Sequence, residues 1–306
     1  MTLQEAFQEA KTRLELDESF SELVTQKHNA VRSFVQNSGI VPNTQLIGSL
    51  QRRTRIQPRT EDIFDIDILV ILGEFSQWTP SGITPSMALN QLQSIVTSSE
   101  RYGSMGPAVD APVITFEYAD GVKVELVPAY KDKIGACFDG TPTVKGRGFW
   151  VPKSTGFWEL ADYDYEADLV TSVNQKNDEL IIPTIKMLKA IKRKHFPTMS
   201  SFHLEIIATQ VLPARISLRK VLGLPTDFSD LITDFFSVVD FNRLSLPTKM
   251  LGSCSPVVAI DLNDKLIIAN KFTEISRYLN SISQTASESE KIAKWRELMD
   301  EVIPSI

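Results

Sequence analysis

The chain has 306 residues, 42% of them hydrophobic and 23% charged, with a formal net charge of -6 at pH 7. This is the balance of a globular protein long enough for two domains, or for one domain built as two lobes. The acidic excess excludes broad, sequence-independent nucleic-acid binding through a strongly basic face, though a local basic patch stays open.

In chain order, residues 2–37 read as one long helix, with Phe20, Leu23, Val24, Val31, Phe34 and Val35 at helical spacing and Asn37-Ser38-Gly39 as the stop. Such a helix is either an ordinary amphipathic core helix or a brace between two lobes. Residues 44–47 form a short apolar strand ending at Gly48-Ser49, and a polar, basic stretch follows over 51–62. Residues 64–72 are rich in β-branched residues and predict a strand. Residues 86–101 read as a helix, with Leu89, Leu92, Ile95 and Val96 on one side. The runs 113–118 and 122–129 flank Ala119-Asp120-Gly121 and predict a hairpin. Residues 131–160, rich in Gly, Pro and Lys, read as loop with Trp150, Phe157 and Trp158 embedded. From about residue 161 the chain turns helical, most clearly over 180–194, 200–211 and 272–282, with a last amphipathic helix carrying Ile292, Trp295, Met299 and Val302.

The chemistry centres on Asp65 and Asp67. Alternate residues of a strand share a face, so the two carboxylates project together while Ile66, Ile68 and Val70 project oppositely. Two adjacent acids on an apolar strand repel each other, and burial raises their pKa. A hard divalent cation relieves both costs. The plainer alternative is a solvated strand end. Glu125 is the candidate third acid: residues 122, 124 and 126 share the apolar face, and Glu125 points the other way. Three converging carboxylates would suit two-metal phosphoryl chemistry, and an exposed acid on a half-buried sheet is the alternative. Gly48 lets a backbone approach a phosphate, and Ser49 offers a hydroxyl and an amide. Lys186, Lys189 and Arg193 share one helical face, which by itself reads as a solvated basic face. Arg52, Arg53, Arg55 and Arg59 read as a charged loop in water, within reach of a triphosphate.

The array Gly48-Ser49, Thr54, Asp65-Ile66-Asp67-Ile68-Leu69-Val70 and Val124-Glu125-Leu126-Val127-Pro128-Ala129 resembles the polymerase-β-like nucleotidyltransferases. More narrowly, it resembles the bacterial cGAS/DncV-like group of anti-phage (CBASS) systems. The segments 185–192 and 200–205 are similar to paired helices of that group's helical lobe. The likeness spans roughly residues 44–206. It departs at Glu125, where the group usually carries Asp, with Asp120 and Glu117 as weaker substitutes.

The resemblance implies an α+β, two-lobed fold: a palm lobe with a mixed sheet and a long N-terminal helix over residues 1–160, and a helical lobe over 161–306. It implies Asp65, Asp67 and Glu125 as the catalytic and metal-holding acids, with magnesium, or manganese in its place. It implies Gly48, Ser49, Lys189 and Ser201 at the triphosphate and Phe202 stacked on a base. The expected substrates are ATP, with GTP, UTP and CTP as further candidates. The expected product is a cyclic di- or trinucleotide that acts on a separate effector, formed with release of pyrophosphate. A regulatory protein partner is a further implication. Alternatives are a linear oligonucleotide or a protein- or tRNA-directed transferase of toxin type, or an inactive nucleotide-binding module.

Other signals are negative. GxxxxGK[ST] and GxGxxG loops are absent, and His28, His195 and His203 form no HExxH. The clustered Cys and His of the animal cGAS zinc insertion are missing. Cys137 and Cys254 make neither a disulfide framework nor a CxxC zinc site, and two reduced thiols are expected. No apolar run approaches the ~18 residues of a membrane span, and the N-terminal stretch lacks a signal-peptide core. A cytoplasmic protein away from membranes is the expectation, without an evident nucleic-acid activator.

Overall fold

The computed structural model describes residues 1–75, 82–110, 112–133, 148–245, 248–255 and 257–305. The N-terminal stretch is two helices rather than one. α1 (Leu3–Leu14) and α2 (Glu18–Gln36) are separated by a break at residues 15–17. The Asp17 side chain accepts from the Phe20 amide at 2.8 Å and so starts a new helix. The break lets the two halves serve different cores. Ala6, Phe7, Ala10 and Leu14 pack among the C-terminal helices, whereas Val24, Val31 and Val35 pack on the sheet.

The chain then runs through β1 (Asn43–Leu46), the single turn α3 (Gly48–Gln51) and the long β2 (Phe64–Phe75). The helix expected over 86–101 ends early. α4 (Pro85–Thr97) begins at a Thr84 cap with Pro at its first position, and α5 (Glu100–Gly103) restarts behind a Ser99 cap. β3 (Ala108–Asp110), β4 (Val113–Glu117) and β5 (Val122–Asp132) complete the central sheet, in the order β1-β2-β5-β4-β3. β2 and β5 run parallel and their neighbours antiparallel, so the sheet is mixed. The expected hairpin is β4–β5, with Asp120 at its turn.

The stretch expected as loop over 131–160 contains β6 (Phe149–Pro152) and β7 (Trp158–Ala161), paired antiparallel, with β6 also added to β5. Glycine and lysine at the loop ends hid a buried aromatic hairpin. Trp150 is 1% exposed and donates its Nε1–H to Asp132 at 3.0 Å, whereas Phe157 lies on the surface. The expectation for residues 134–147, including Cys137, lies outside the described residues. Cys254 is a disulfide-bonded half-cystine, not the reduced thiol expected; separation along the sequence does not bound separation in the fold.

The rest is helical: α6 (Tyr163–Gln175), α7 (Ile181–His195), α8 (Ser201–Leu222), α9 (Phe228–Val238), α10 (Phe241–Ser245), α11 (Leu262–Ser283) and α12 (Glu288–Met299). α8 runs a further eleven residues past its expected end at 211, straight through Pro213, to a left-handed Gly223. Burial of Leu212 and Ile216 offsets the proline's lost hydrogen bond. Among the described residues two apolar clusters are the largest. One lies between α2, α4 and one sheet face. The other is the helical core of α7, α8, α9, α11 and α12 with α1 inserted. Among the described residues no helix is long and apolar enough to cross a membrane.

Candidate active site

The alternation read from the sequence is present in β2. Ile66, Ile68 and Val70 are fully buried against α2 and α4, and Asp65 and Asp67 occupy the other face. In the parallel register Asp65 stands opposite Lys123 and Asp67 opposite Glu125. All four side chains therefore share one face of adjacent strands. Asp67 is pushed up to about 6, chiefly by burial and then by the like charges of Glu125 and Asp65, against the pull of Arg55 and Arg52. Asp65 is raised as well, first by burial, with Arg55 opposing.

Gly48 touches Asp67 directly. It has φ +70°, and a Cβ built on it would lie 2.1 Å from Asp67 Oδ2. Only glycine supplies both that backbone conformation and that clearance. The Ile47 amide also bonds the Asp67 carbonyl at 3.0 Å. The Gly-Ser turn is thus seated on the second aspartate.

These residues open into one cleft of about 630 Å³ between the sheet and the helical body. Seven of the eight candidates line it: Gly48, Ser49, Asp65, Asp67, Lys189, Ser201 and Phe202. Glu125 does not. Its carboxylate pairs with Lys123, two residues back on the same strand face, at 2.6 Å. No group of three His, Cys, Asp or Glu side chains poised to hold a metal occurs among the described residues. The expected meeting of three acids is therefore, in this geometry, a pair in the cleft with the third on the adjoining strand. The weaker substitute Asp120 is bonded to Lys27 at 2.6 Å. The Asp65–Asp67 pair nevertheless fits a hard cation: two oxygen donors, half-buried, mutually repelling, with a glycine cradle against one of them.

The basic residues differ most from expectation. The face of α7 read as solvated is interfacial: Lys186 pairs with Glu15 at 2.5 Å, Arg193 with Asp62 at 2.7 Å, and Lys189 with Glu205 at 2.5 Å. Lys189 also donates to the Thr54 carbonyl at 2.9 Å. Arg52, read as loop in water, is 6% exposed and donates to the same Glu205 at 2.8 Å. Its guanidinium lies 4.4 Å from the centre of the Phe202 ring. Arg55 covers the Phe64 ring at 3.9 Å, and of the four arginines only Arg53 is exposed. Held by two cations, the Glu205 carboxyl lies well below the usual carboxylate range, at about 2. Nothing in the spacing of Glu205 within an apolar helix face marked it as a hub. An acid on an otherwise buried stripe was the available signal.

Comparison with known proteins agrees with this architecture. Residues 1–142 match the family model of the Second Messenger Oligonucleotide or Dinucleotide Synthetase domain. No curated protein matches the chain by sequence. Bradyrhizobium diazoefficiens CdnG, solved with GTP, superposes with a TM-score of 0.70 at 12% identity, covering 98% of this chain and 96% of that one. E. coli MS115-1 CdnC, solved with ATP, gives 0.63 at 12% identity, covering 100% and 99%; it is also known in complex with HORMA-deltaN. The Vibrio cholerae DncV cyclic AMP-GMP synthase gives 0.63 at 13% identity, covering 86% and 70%. Residues 1–142 thus match the Second Messenger Oligonucleotide or Dinucleotide Synthetase domain model, and the whole chain shares the two-lobed fold of CdnG, CdnC and DncV.

Proposed function

We propose that the chain joins nucleoside triphosphates into a cyclic di- or trinucleotide, releasing pyrophosphate at each bond. One observation carries this reading: the Gly-Ser turn, the aspartate pair, Ser201 and Phe202, far apart in sequence, line a single cleft large enough for a nucleotide. The matched domain and the nucleotide-bound neighbours support it.

Asp65 and Asp67 would hold magnesium, with Glu125 as the third donor once it is released from Lys123; manganese would suit the same donors. Bound there, the ion would supply charge neutralisation of the triphosphate and acidification of the attacking ribose hydroxyl. The chain's own residues do the remaining work. The Ser49 hydroxyl and the amides of the Gly-Ser turn face the phosphates, and Ser201 faces them from α8. Phe202, backed by Arg52, offers an aromatic face to a base. Holding donor and acceptor in line between two lobes supplies the orientational part of the rate. We take residues 1–160 as the catalytic lobe and 161–306 as the helical lobe, with α1 lent to the latter. A cytoplasmic role in anti-phage signalling, a separate effector for the product and a regulatory protein partner belong to the same proposal.

The test is the double variant Asp65→Asn/Asp67→Asn, incubated with all four labelled triphosphates and magnesium, with products read by mass spectrometry. The parent should give a phosphatase-resistant product and the variant at least 10³-fold less, as expected when a principal electrostatic device is removed. Undiminished product in the variant would remove the assigned site. A phosphatase-sensitive product would favour the linear alternative.

A further inference from the structure

Lys123 belongs to the same sheet face as the three acids. Asp65 lies opposite Lys123 and Asp67 opposite Glu125 in the parallel register of β2 and β5. The Lys123 ammonium holds the Glu125 carboxylate at 2.6 Å, with the two side chains 27% and 25% exposed. A second cation flanks the group from the other side. Arg55 lies 4.0 Å from Asp65, and its guanidinium sits 3.9 Å over the Phe64 ring. Three carboxylates set against these two cations leave a local charge of -1 in place of -3.

The two cations are held differently. Arg55 is braced by the ring beneath it. Lys123 has a flexible four-carbon stem, makes one ion pair among the described residues, and carries a head that water solvates strongly. It is therefore the counter-ion that can leave. A divalent cation that takes Glu125 as its third oxygen donor must displace Lys123 from that carboxylate. Glutamate suits such an exchange better than aspartate, since its extra methylene lets one carboxylate turn either to Lys123 or across to the β2 aspartates.

We propose that Lys123 is a positioning residue for the third acid: it competes with the divalent cation for Glu125 and keeps that carboxylate out of the metal site until the cation is bound more tightly. Triphosphate oxygens supply that extra affinity, because hard divalent ions are commonly held by a few carboxylates together with substrate phosphates. Completion of the three-acid site is thereby tied to arrival of the nucleotide. The inference rests on the nucleotidyl-transfer reading, which puts a cation at Asp65 and Asp67.

The test titrates the full chain with manganese alone, free Mn2+ being counted from its paramagnetic resonance signal, with thermal melting in parallel. Lys123→Met keeps the stem and drops the charge. It should bind manganese about fivefold more tightly, the upper end for a partly exposed ion pair, with Tm unchanged. Lys123→Arg should bind as the parent does. Adding Glu125→Gln to Lys123→Met should erase the gain, a coupling that action on Asp65 and Asp67 alone does not produce. Parent-like affinity in Lys123→Met, or a gain that survives Glu125→Gln, overturns the assignment. A non-hydrolysable ATP analogue should tighten manganese binding in parent and variant alike. If it fails in both, the nucleotidyl-transfer reading falls while the comparison with manganese alone still stands. If neither protein binds manganese with or without the analogue, both fall.

Discussion

Gly48 shows how one position joins backbone geometry to chemistry. Its φ of +70° is a conformation that an L side chain adopts at a cost of roughly 1–2 kcal/mol. Its missing Cβ is the space that the Asp67 carboxylate occupies. Gly48→Ala should therefore do two separable things. It should lower stability by about that amount, read as a modest drop in Tm. It should also displace the Asp67 carboxylate and cut turnover by about 10²-fold, the scale associated with an ångström of misplacement in a catalytic group. A variant that melts lower but turns over normally would show that the close contact is only structural.

Among the elements, α8 is the most informative. Its proline lies well inside the helix, where it removes one ladder hydrogen bond and crowds the preceding turn. Pro183 of α7, by contrast, lies in the first turn, where no ladder bond is lost. The difference predicts opposite responses to one change. Pro213→Ala should stabilise the protein by about 1–3 kcal/mol, the range set by proline's interior penalty, raising Tm by several degrees. Pro183→Ala should be close to neutral. Differential scanning fluorimetry of both variants checks this, and no gain at 213 would mean that α8 has relaxed around the ring. The break at 15–17 was not read for a different reason: the apolar positions that marked the helix, Phe20 to Val35, all lie in α2, and the force of the Asp17 cap depends on which cores lie on either side.

Over the whole molecule, buried ionisable groups set the acid response. His203 is fully buried with both ring nitrogens unpartnered, and burial pushes its pKa down to about 4. Its folded pKa is below its unfolded one, so the unfolded chain binds the extra proton between about pH 6.5 and 4, and stability falls as pH drops through that window. The full effect is at most about 3 kcal/mol. His28 and His195, also lowered chiefly by burial, add to the slope, whereas Asp67, raised to about 6, opposes it. Glu205 acts in a lower window: its stabilisation holds above pH 4.5 and is lost as pH falls toward 2. Chemical denaturation of the parent and of His203→Leu should therefore diverge between pH 6.5 and 4, with the parent losing more. Parallel pH profiles would contradict the buried neutral imidazole.

What the sequence determined by itself was set by local rules. Period-two alternation put Asp65 and Asp67 on one face of a strand, Asp-Gly made the β4–β5 turn, and helical periodicity marked α7 and the last amphipathic helix. Seven of the candidate residues meet in one cleft; Gly48, Ser49, Asp65 and Asp67 were legible as turn and strand residues, whereas Lys189, Ser201 and Phe202 came from the family resemblance. Tertiary structure alone decided the partners. Asp67 stands opposite Glu125 of the neighbouring strand, Glu205 gathers Arg52 and Lys189, and α1 joins the helical core while α2 covers the sheet. Charge pairing and core allocation depend on which elements come within a few ångströms of one another, and that distance is not a property of any segment of the chain taken alone.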